Sequence, residues 1–188
     1  MNYNLILASN SPRRQELLKG LDWPFEVRVK AGIDENYPDD LPAKEVPLYL
    51  SKLKAKAYGA ELQPNELLIT ADTIVIVDNK ILGKPRNAAD AKTMLALLSG
   101  RTHQVVTGVS LTTQHKQVAF KVVTDVTFKA LSQAEINYYV DTYKPFDKAG
   151  AYGVQEWIGY IGVTALNGSY YNVMGLPVQR VYEELQHF

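Results

Sequence analysis

The sequence predicts a mixed sheet protein of the α/β or α+β class, and three observations carry that reading. Short apolar runs of strand character alternate with capped, amphipathic segments of helical period along the 188 residues. Two turn signals, Asp78-Asn79-Lys80 and Asn167-Gly168, join such runs as hairpins, which a pure βαβ array would not need. No repeat, low-complexity tract or long linker interrupts the chain. Residues 1–188 are therefore expected to form one domain, large enough for a real core and for two lobes around a cleft.

The elements follow in order. Leu5-Ile6-Leu7 is a short apolar strand. Ser11 suits an N-cap and Pro12 the first helical position, where its missing N–H costs nothing; the helix runs through Lys19 and Gly20 ends it. Phe25–Val29 alternates like a strand. Residues 31–47, with Gly32, Pro38, Pro42 and Pro47, form a polar loop leading into a helix over Leu48–Ala60. Leu67–Val77 is a buried strand that turns at Asp78-Asn79 and returns through Ile81-Leu82. Asn87 caps a helix with Ala91, Met94, Leu95 and Leu98 on one face, and Gly100 stops it. Gln104–Thr112 and Gln117–Ala130 are strands, the second alternating at Val122, Thr124, Val126 and Phe128. Ser132-x-x-Glu135 is a capping box for a helix through Tyr143. Trp157–Leu166 and Ser169–Val173 are expected to pair as strands around Asn167-Gly168. Pro177 starts a last helix with Val178, Val181, Tyr182 and Leu185 on one face.

Lys and Arg number 20, as do Asp and Glu. That balance gives no global field favouring nucleic acid or a membrane surface, while a small anion held by a local basic cluster remains compatible with it. The chain has no cysteine, which excludes a disulfide framework, thiolate metal ligands and a cysteine nucleophile. No apolar run approaches a membrane span and the N-terminus shows no signal-peptide pattern, so a cytoplasmic globular protein is expected.

Polar residues out of keeping with their surroundings mark the candidate site. Arg13 and Arg14 stand in the first turn of the first helix, where the dipole disfavours cations and free N–H groups favour an anion. With Ser9 and Ser11 they read either as a phosphate clamp or as an ordinary capped surface helix. As a clamp, either arginine changed to alanine should weaken catalysis and leave helix stability level or slightly higher. Asp72 interrupts the otherwise apolar Leu67–Val77, where a carboxylate needs a partner, a metal or a cleft. The turn at Asp78-Asn79 places Lys84 opposite Thr73, within one residue of Asp72. An Asp72–Lys84 ion pair bracing the hairpin thus stands beside a second reading, Asp72 as base or metal ligand with Lys84 on a phosphate.

Gly83-Lys84-Pro85 allows close approach to a ligand and then stiffens the exit. Asp34-Glu35 is either solvated loop surface or a source of hard oxygen ligands for a cation bridging phosphates. Lys52, Lys54 and Lys56 alternate on a helix and cannot share one face, so at most one or two point into a site. The Gln155 amide, at the end of Asp147-Lys148-Ala149-Gly150-Ala151-Tyr152-Gly153-Val154-Gln155, can donate and accept at a base edge. His103, His115 and His187 show no metal-ligand spacing and receive no catalytic role. Tyrosines such as Tyr138-Tyr139 and Tyr170-Tyr171 are expected to wall a core or an interface.

Taken together, these segments resemble the Maf family of nucleoside triphosphate pyrophosphatases over essentially the whole chain. The resemblance is carried by Leu7-Ala8-Ser9-x-Ser11-Pro12-Arg13-Arg14, Asp34-Glu35, Lys54-Ala55-x-Ala57, Ala71-Asp72-Thr73, Gly83-Lys84-Pro85, Leu98-Ser99-Gly100-Arg101-Thr102-His103, residues 147–155 and Gly175-Leu176-Pro177, in that order. It implies an α/β fold of the Maf/ITPase-like kind, an elongated mixed sheet with flanking helices and two lobes around a nucleotide-binding cleft. It also implies hydrolysis between the α and β phosphates, dependent on a divalent cation (Mg2+ or Mn2+), giving a nucleoside monophosphate and pyrophosphate.

The family's proton acceptor falls on Asp72. Its substrate contacts fall on Ser9, Ser11, Arg13, Arg14, Lys54 and Lys84, and its metal-side acids on Glu35 and Asp72. Members resembling dTTP/UTP pyrophosphatases carry arginine, threonine and glutamine where this chain has Arg13, Thr73 and Gln155. The sister group acting on 7-methyl-GTP has tryptophan, glutamine and glutamate there. In the implied mechanism the cation and the basic side chains stabilise phosphate charge while Asp72 deprotonates the attacking water, with no covalent intermediate. The expected partner is a nucleoside triphosphate, normal or modified, with no nucleic acid and no membrane, and the resemblance leaves room for a homodimer. A non-enzymatic, nucleotide-binding regulator of cell division and septum formation is the alternative. Intact Asp72 and Glu35 argue against it, and pyrophosphate release separates the two.

Overall fold

The structure, a computed structural model, describes residues 3–188. Its first strand, β1 (Asn4–Leu7), is buried from Leu5 onward, and a strand apolar on both faces needs neighbours on both edges. It pairs in parallel with β2 (Phe25–Val27), Leu5 opposite Phe25, and with β3 (Glu66–Val77), Leu7 opposite Ile69. Between β1 and β2 the chain forms α1 (Pro12–Lys19), capped by Ser11, whose Oγ accepts from the Arg14 N–H at 3.5 Å. β2 stops two residues short of the predicted Val29. Beyond it the Arg28 guanidinium grips both oxygens of Glu66, at 2.7 and 2.9 Å, where β3 begins.

The second helix, α2 (Val46–Tyr58), starts two residues earlier than the sequence predicts and ends in a 3-10 turn. It crosses β5 (Thr102–Thr112) at Gly108, where an added Cβ would lie 2.3 Å from the Pro47 carbonyl. Only glycine permits that approach. β3 turns into β4 (Lys80–Leu82) with Val77 opposite Lys80. Asp78 and Asn79 have φ of 49° and 60°, the two left-handed residues that a two-residue type I′ hairpin requires.

The helix α3 (Ala88–Leu98) is capped by Asn87, and the strand β6 (Gln117–Phe128) follows β5 as predicted. The complete Ser132–Glu135 capping box opens α4 (Gln133–Tyr143). Among the described residues seven strands pair in the order β2-β1-β3-β5-β6-β7, with β4 alongside β3.

The segment 157–173 departs from expectation. The predicted hairpin is replaced by α5 (Trp157–Gly162), β7 (Val163–Asn167) and α6 (Tyr170–Met174). In α5 the buried residues are Ile158 and Gly162, four apart, while Tyr160 is 83% exposed. That is a helical period in a run that the Asn167-Gly168 turn signal places in a strand. β7 pairs antiparallel with β6, Leu166 opposite Val126. Ser169 then caps rather than pairs: its Oγ accepts from the Asn172 N–H at 3.2 Å. The last helix, α7 (Val178–Leu185), buries Val178, Val181 and Leu185 as predicted, but Tyr182 lies outside and stacks on Trp23 at 5.1 Å.

The chain divides into two compact units. The first comprises the chain through Asp72, Thr107–Val122 and Gly175–Phe188; the second comprises Thr73–Val106 and Val123–Met174. Within the first unit, Ile6 and Leu68 of the strands pack with Ala55, Tyr58 and Leu62. The second has a larger core in which Ala91, Leu95 and Leu98 of α3 meet Ile136, Tyr139 and Val140 of α4.

His103 belongs to that second core. Its Nε2 is 2.7 Å from the Tyr152 hydroxyl, and its ring packs edgewise on Phe128 and Tyr152. Burial pushes its pKa down to about 4. The unfolded chain, with a histidine pKa near 6.5, takes up this proton first as pH falls, so the stability held above pH 6.5 is lost progressively toward pH 4. The shift corresponds to about 3 kcal/mol. Urea unfolding at pH 7, 5 and 4 should show that loss in the wild type and a flatter profile in His103→Gln. Parallel profiles would exclude His103 as the titrating group.

Candidate active site

The first unit gathers most of the residues singled out in the sequence. β1 runs out into Ser9, which is buried, and Ser11. The Ser9 Oγ accepts the Ser11 N–H at 3.2 Å and the Ser11 Oγ caps α1, so each hydroxyl retains its own hydrogen to donate. Arg13 and Arg14 follow in the first turn of α1, as expected.

Arg14 does more than present a charge. Its Nε donates to the Gly175 carbonyl at 2.8 Å and its Nη1 to the Ala71 carbonyl at 2.9 Å. Loss of hydration lowers its pKa from the usual arginine value and the charge of Arg13 adds to that, while Asp72 and Glu35 oppose it. The expectation that Arg14→Ala leaves stability level therefore gives way: this side chain ties the backbone next to Asp72 to the turn before α7.

Asp72 sits in β3 with its side chain 14% exposed, and its partner is Lys54. The Lys54 ammonium, on α2, lies 2.7 Å from Asp72 Oδ1 and 3.1 Å from Glu35 Oε2. Lys52 and Lys56 are exposed, so one lysine of the three turns inward, as their spacing required. Glu35 is on the loop after β2 and half exposed; neighbouring Asp34 spends one carboxylate oxygen on the Asn36 N–H at 3.3 Å.

Of the two readings of Asp72, the Asp72–Lys84 brace is not what pairs it; Lys54 is. Extending the β3–β4 register does put Lys84 level with Thr73, but the ladder ends at Leu82 and Lys84 is exposed.

Thr73, Lys84 and Gln155 belong to the second unit. Gln155 occupies the third position of a turn closed by the Glu156 N–H on the Gly153 carbonyl at 3.0 Å. Its side-chain Oε1 is buried and accepts no hydrogen bond among the described residues. Around this turn is a cluster that the sequence reading did not single out. The Tyr139 hydroxyl donates to Glu156 Oε2, and Glu156 Oε1 is 3.1 Å from the Lys148 ammonium. Lys148 also meets Asp147 at 2.8 Å. The sequence signal is weak: Tyr139 reads as a core or interface aromatic, Lys148 lies in a turn-rich segment, and Glu156 follows it with no motif of its own.

Asp72 and Glu35 already share one cation, the Lys54 ammonium, and both offer the hard oxygens that magnesium-type ions take. Among the described residues no group of three or more His, Cys, Asp or Glu gathers to hold a metal. Two carboxylates alone would leave most positions of such an ion to water or to oxygens of an anionic ligand.

Comparison with known proteins gives a consistent picture. A family model described as "Maf-like protein" matches residues 4–188. A dTTP/UTP pyrophosphatase of Phocaeicola vulgatus is 60% identical over 184 residues, covering 98% of this chain and 95% of its own. A protein of the same name from Parabacteroides distasonis is 58% identical over 186 residues, covering 99% and 96%. Among solved structures, the Staphylococcus aureus Ham1 protein matches with a TM-score of 0.56 at 16% identity, over 97% of this chain and 99% of that one. A HAM1 protein from Coxiella burnetii matches at 0.51 and 14%, over 99% and 100%. The two structural likenesses bear on the fold. Among the described residues, no helix is long and apolar enough to cross a membrane.

Proposed function

The chain belongs to the Maf family, and from that premise we propose that it is a nucleoside triphosphate pyrophosphatase acting on dTTP and UTP. Relatives at 60% and 58% identity bear the name dTTP/UTP pyrophosphatase, and Arg13, Thr73 and Gln155 match the pyrimidine-type pattern. The carrying observation is Asp72, a carboxylate within an apolar strand, held 2.7 Å from the Lys54 ammonium that also reaches Glu35. We take residues 1–188 as one functional domain.

Water adds to the α-phosphorus while the bond to the α–β bridging oxygen breaks, so triphosphate and water become monophosphate and pyrophosphate. Asp72 accepts the proton of that water. Lys54 orients Asp72 and Glu35, and its flexible stem lets the ammonium meet phosphate oxygens when a nucleotide arrives. Ser9 and Ser11 donate their hydroxyl hydrogens to phosphate at the start of α1, where the helix N-terminus also favours an anion. Arg13 and Lys84 add positive charge for the phosphates, and Arg14 does so while fixing the backbone beside Asp72. Asp72 and Glu35 would hold the divalent ion, magnesium or manganese, which offsets triphosphate charge and makes a bound water more acidic. Thr73 and Gln155 contact the base.

The test is pyrophosphate release from equimolar dTTP, UTP, CTP, ATP, GTP and 7-methyl-GTP, with magnesium or manganese and after EDTA treatment. Release from dTTP and UTP is expected to exceed that from the others by about tenfold or more, since a mispaired buried polar group costs about 1–3 kcal/mol. Activity should vanish with EDTA. Preference for CTP or 7-methyl-GTP would overturn the substrate assignment, and release from none of them the activity itself.

A further inference from the structure

We propose that Tyr139 and Glu156 are positioning residues that hold the Gln155 amide in one of its two orientations, so that uracil- and thymine-type bases are accepted and cytosine is refused. This rests on the reading of Gln155 as a base contact. Uracil and thymine present an N–H beside a carbonyl oxygen on their pairing edge; cytosine presents a bare ring nitrogen beside an amino group. An amide that rotates by half a turn serves either edge, so glutamine discriminates only if its orientation is fixed.

The structure supplies two restraints. The first acts on the backbone. The Gly153 N–H donates to the Tyr139 hydroxyl at 3.0 Å, and the Gly153 carbonyl accepts the Glu156 N–H at 3.0 Å. Both polar groups of the residue that opens the turn are therefore tied. Tyr139 is fully buried in α4, and burial followed by its bond to Glu156 pushes its hydroxyl above the usual tyrosine pKa, so it remains a donor. Lys148 fixes the other carboxylate oxygen of Glu156 at 3.1 Å.

The second restraint acts on the amide. A Cβ placed on Gly153 would lie 3.1 Å from Glu156 Oε2 and 3.2 Å from Gln155 Nε2. The carboxylate oxygen and the amide nitrogen thus border the same small space. Rotation of the amide would bring Oε1 toward that carboxylate, acceptor against acceptor, with no hydrogen between them. In the orientation observed, Oε1 is the buried acceptor that takes no hydrogen bond among the described residues. That acceptor suits the ring N–H of uracil or thymine and opposes the bare nitrogen of cytosine.

The experiment measures kcat and KM for UTP and CTP in the wild type, Glu156→Gln and Tyr139→Phe, with far-UV circular dichroism and thermal unfolding on each. Glu156→Gln removes the negative charge at nearly constant size. It should lower the UTP-to-CTP ratio of kcat/KM by about tenfold, through KM more than kcat. Tyr139→Phe releases the Gly153 N–H and keeps the carboxylate; it should raise KM for UTP about fivefold and lower the ratio by less. A purely structural role would reduce both substrates in proportion. A ratio within about twofold of wild type in both folded variants, or proportional loss on UTP and CTP, overturns the proposal. If Glu156→Gln does not fold, Tyr139→Phe and Glu156→Asp decide by the same ratio, with Glu156→Asp expected to retain the discrimination. A wild type that refuses CTP while the variants refuse it equally removes only the positioning role; one that hydrolyses neither UTP nor dTTP removes the activity as well.

Discussion

Asp72→Asn is expected to lower pyrophosphate release from dTTP and UTP by about 10²–10⁴-fold, the usual cost of losing a positioned general base. The amide keeps the shape of the carboxylate and one oxygen that can accept from Lys54, so β3 and its neighbours should stay in place. Lys54 retains Glu35 as a charged partner at 3.1 Å. The loss should therefore fall on kcat, with nucleotide binding close to wild type. Single-turnover hydrolysis, nucleotide titration and thermal unfolding on one preparation separate these effects. A folded Asp72→Asn protein that keeps near-wild-type turnover would show that the ion pair with Lys54 is structural and that the base lies elsewhere.

Arg14→Ala carries the second large effect, on stability as well as rate. Two backbone carbonyls, Gly175 and Ala71, lose charge-assisted bonds of 2.8 and 2.9 Å. Hydrogen bonds to a charged group contribute roughly 1.5–3 kcal/mol each, so a loss of about 3 kcal/mol is expected after partial relaxation. For a chain of this size that lowers the unfolding midpoint by about 10 °C. Arg14→Lys should recover little of it, because one ammonium cannot reproduce the rigid fork that spans both acceptors. Arg13→Ala should lower activity as well. Equal unfolding midpoints for Arg14→Ala and wild type would refute the backbone tie.

How much of this was legible in the sequence depended on how local the signal was. Ser11, Asn87 and the Ser132–Glu135 box start helices where predicted, because a cap acts within four residues. Asp78-Asn79 set the β3–β4 register through backbone conformation alone. The segment 157–173 departs from the expected hairpin because Asn167-Gly168 signals a turn between strands, while the spacing of Ile158 and Gly162 and the Ser169 cap favour a helix on either side of β7. In the site, Asp72 stood out as a carboxylate in an apolar run, but its true partner came from another element, 18 positions earlier. Arg14 was visible as a charge out of place. Its carbonyl acceptors were not, since any residue type carries a carbonyl. Tyr139, Lys148 and Glu156 become a cluster only when three separate segments meet.

The bond from Arg14 to Gly175 joins residues 161 positions apart. A ribosome makes a chain from its N-terminus, and early segments can fold while later ones do not yet exist. Glu35, Lys54 and Asp72 are all synthesised long before Gly175, yet the first unit includes Gly175–Phe188. Until that final stretch emerges, the arginine beside the carboxylate lacks its anchor on Gly175. The nascent chain thus carries the proposed catalytic groups before Arg14 gains its hold on the Gly175 carbonyl. A product cut short before Gly175 lacks that anchor for good, so the backbone beside Asp72 is held by fewer bonds than in the longer chain.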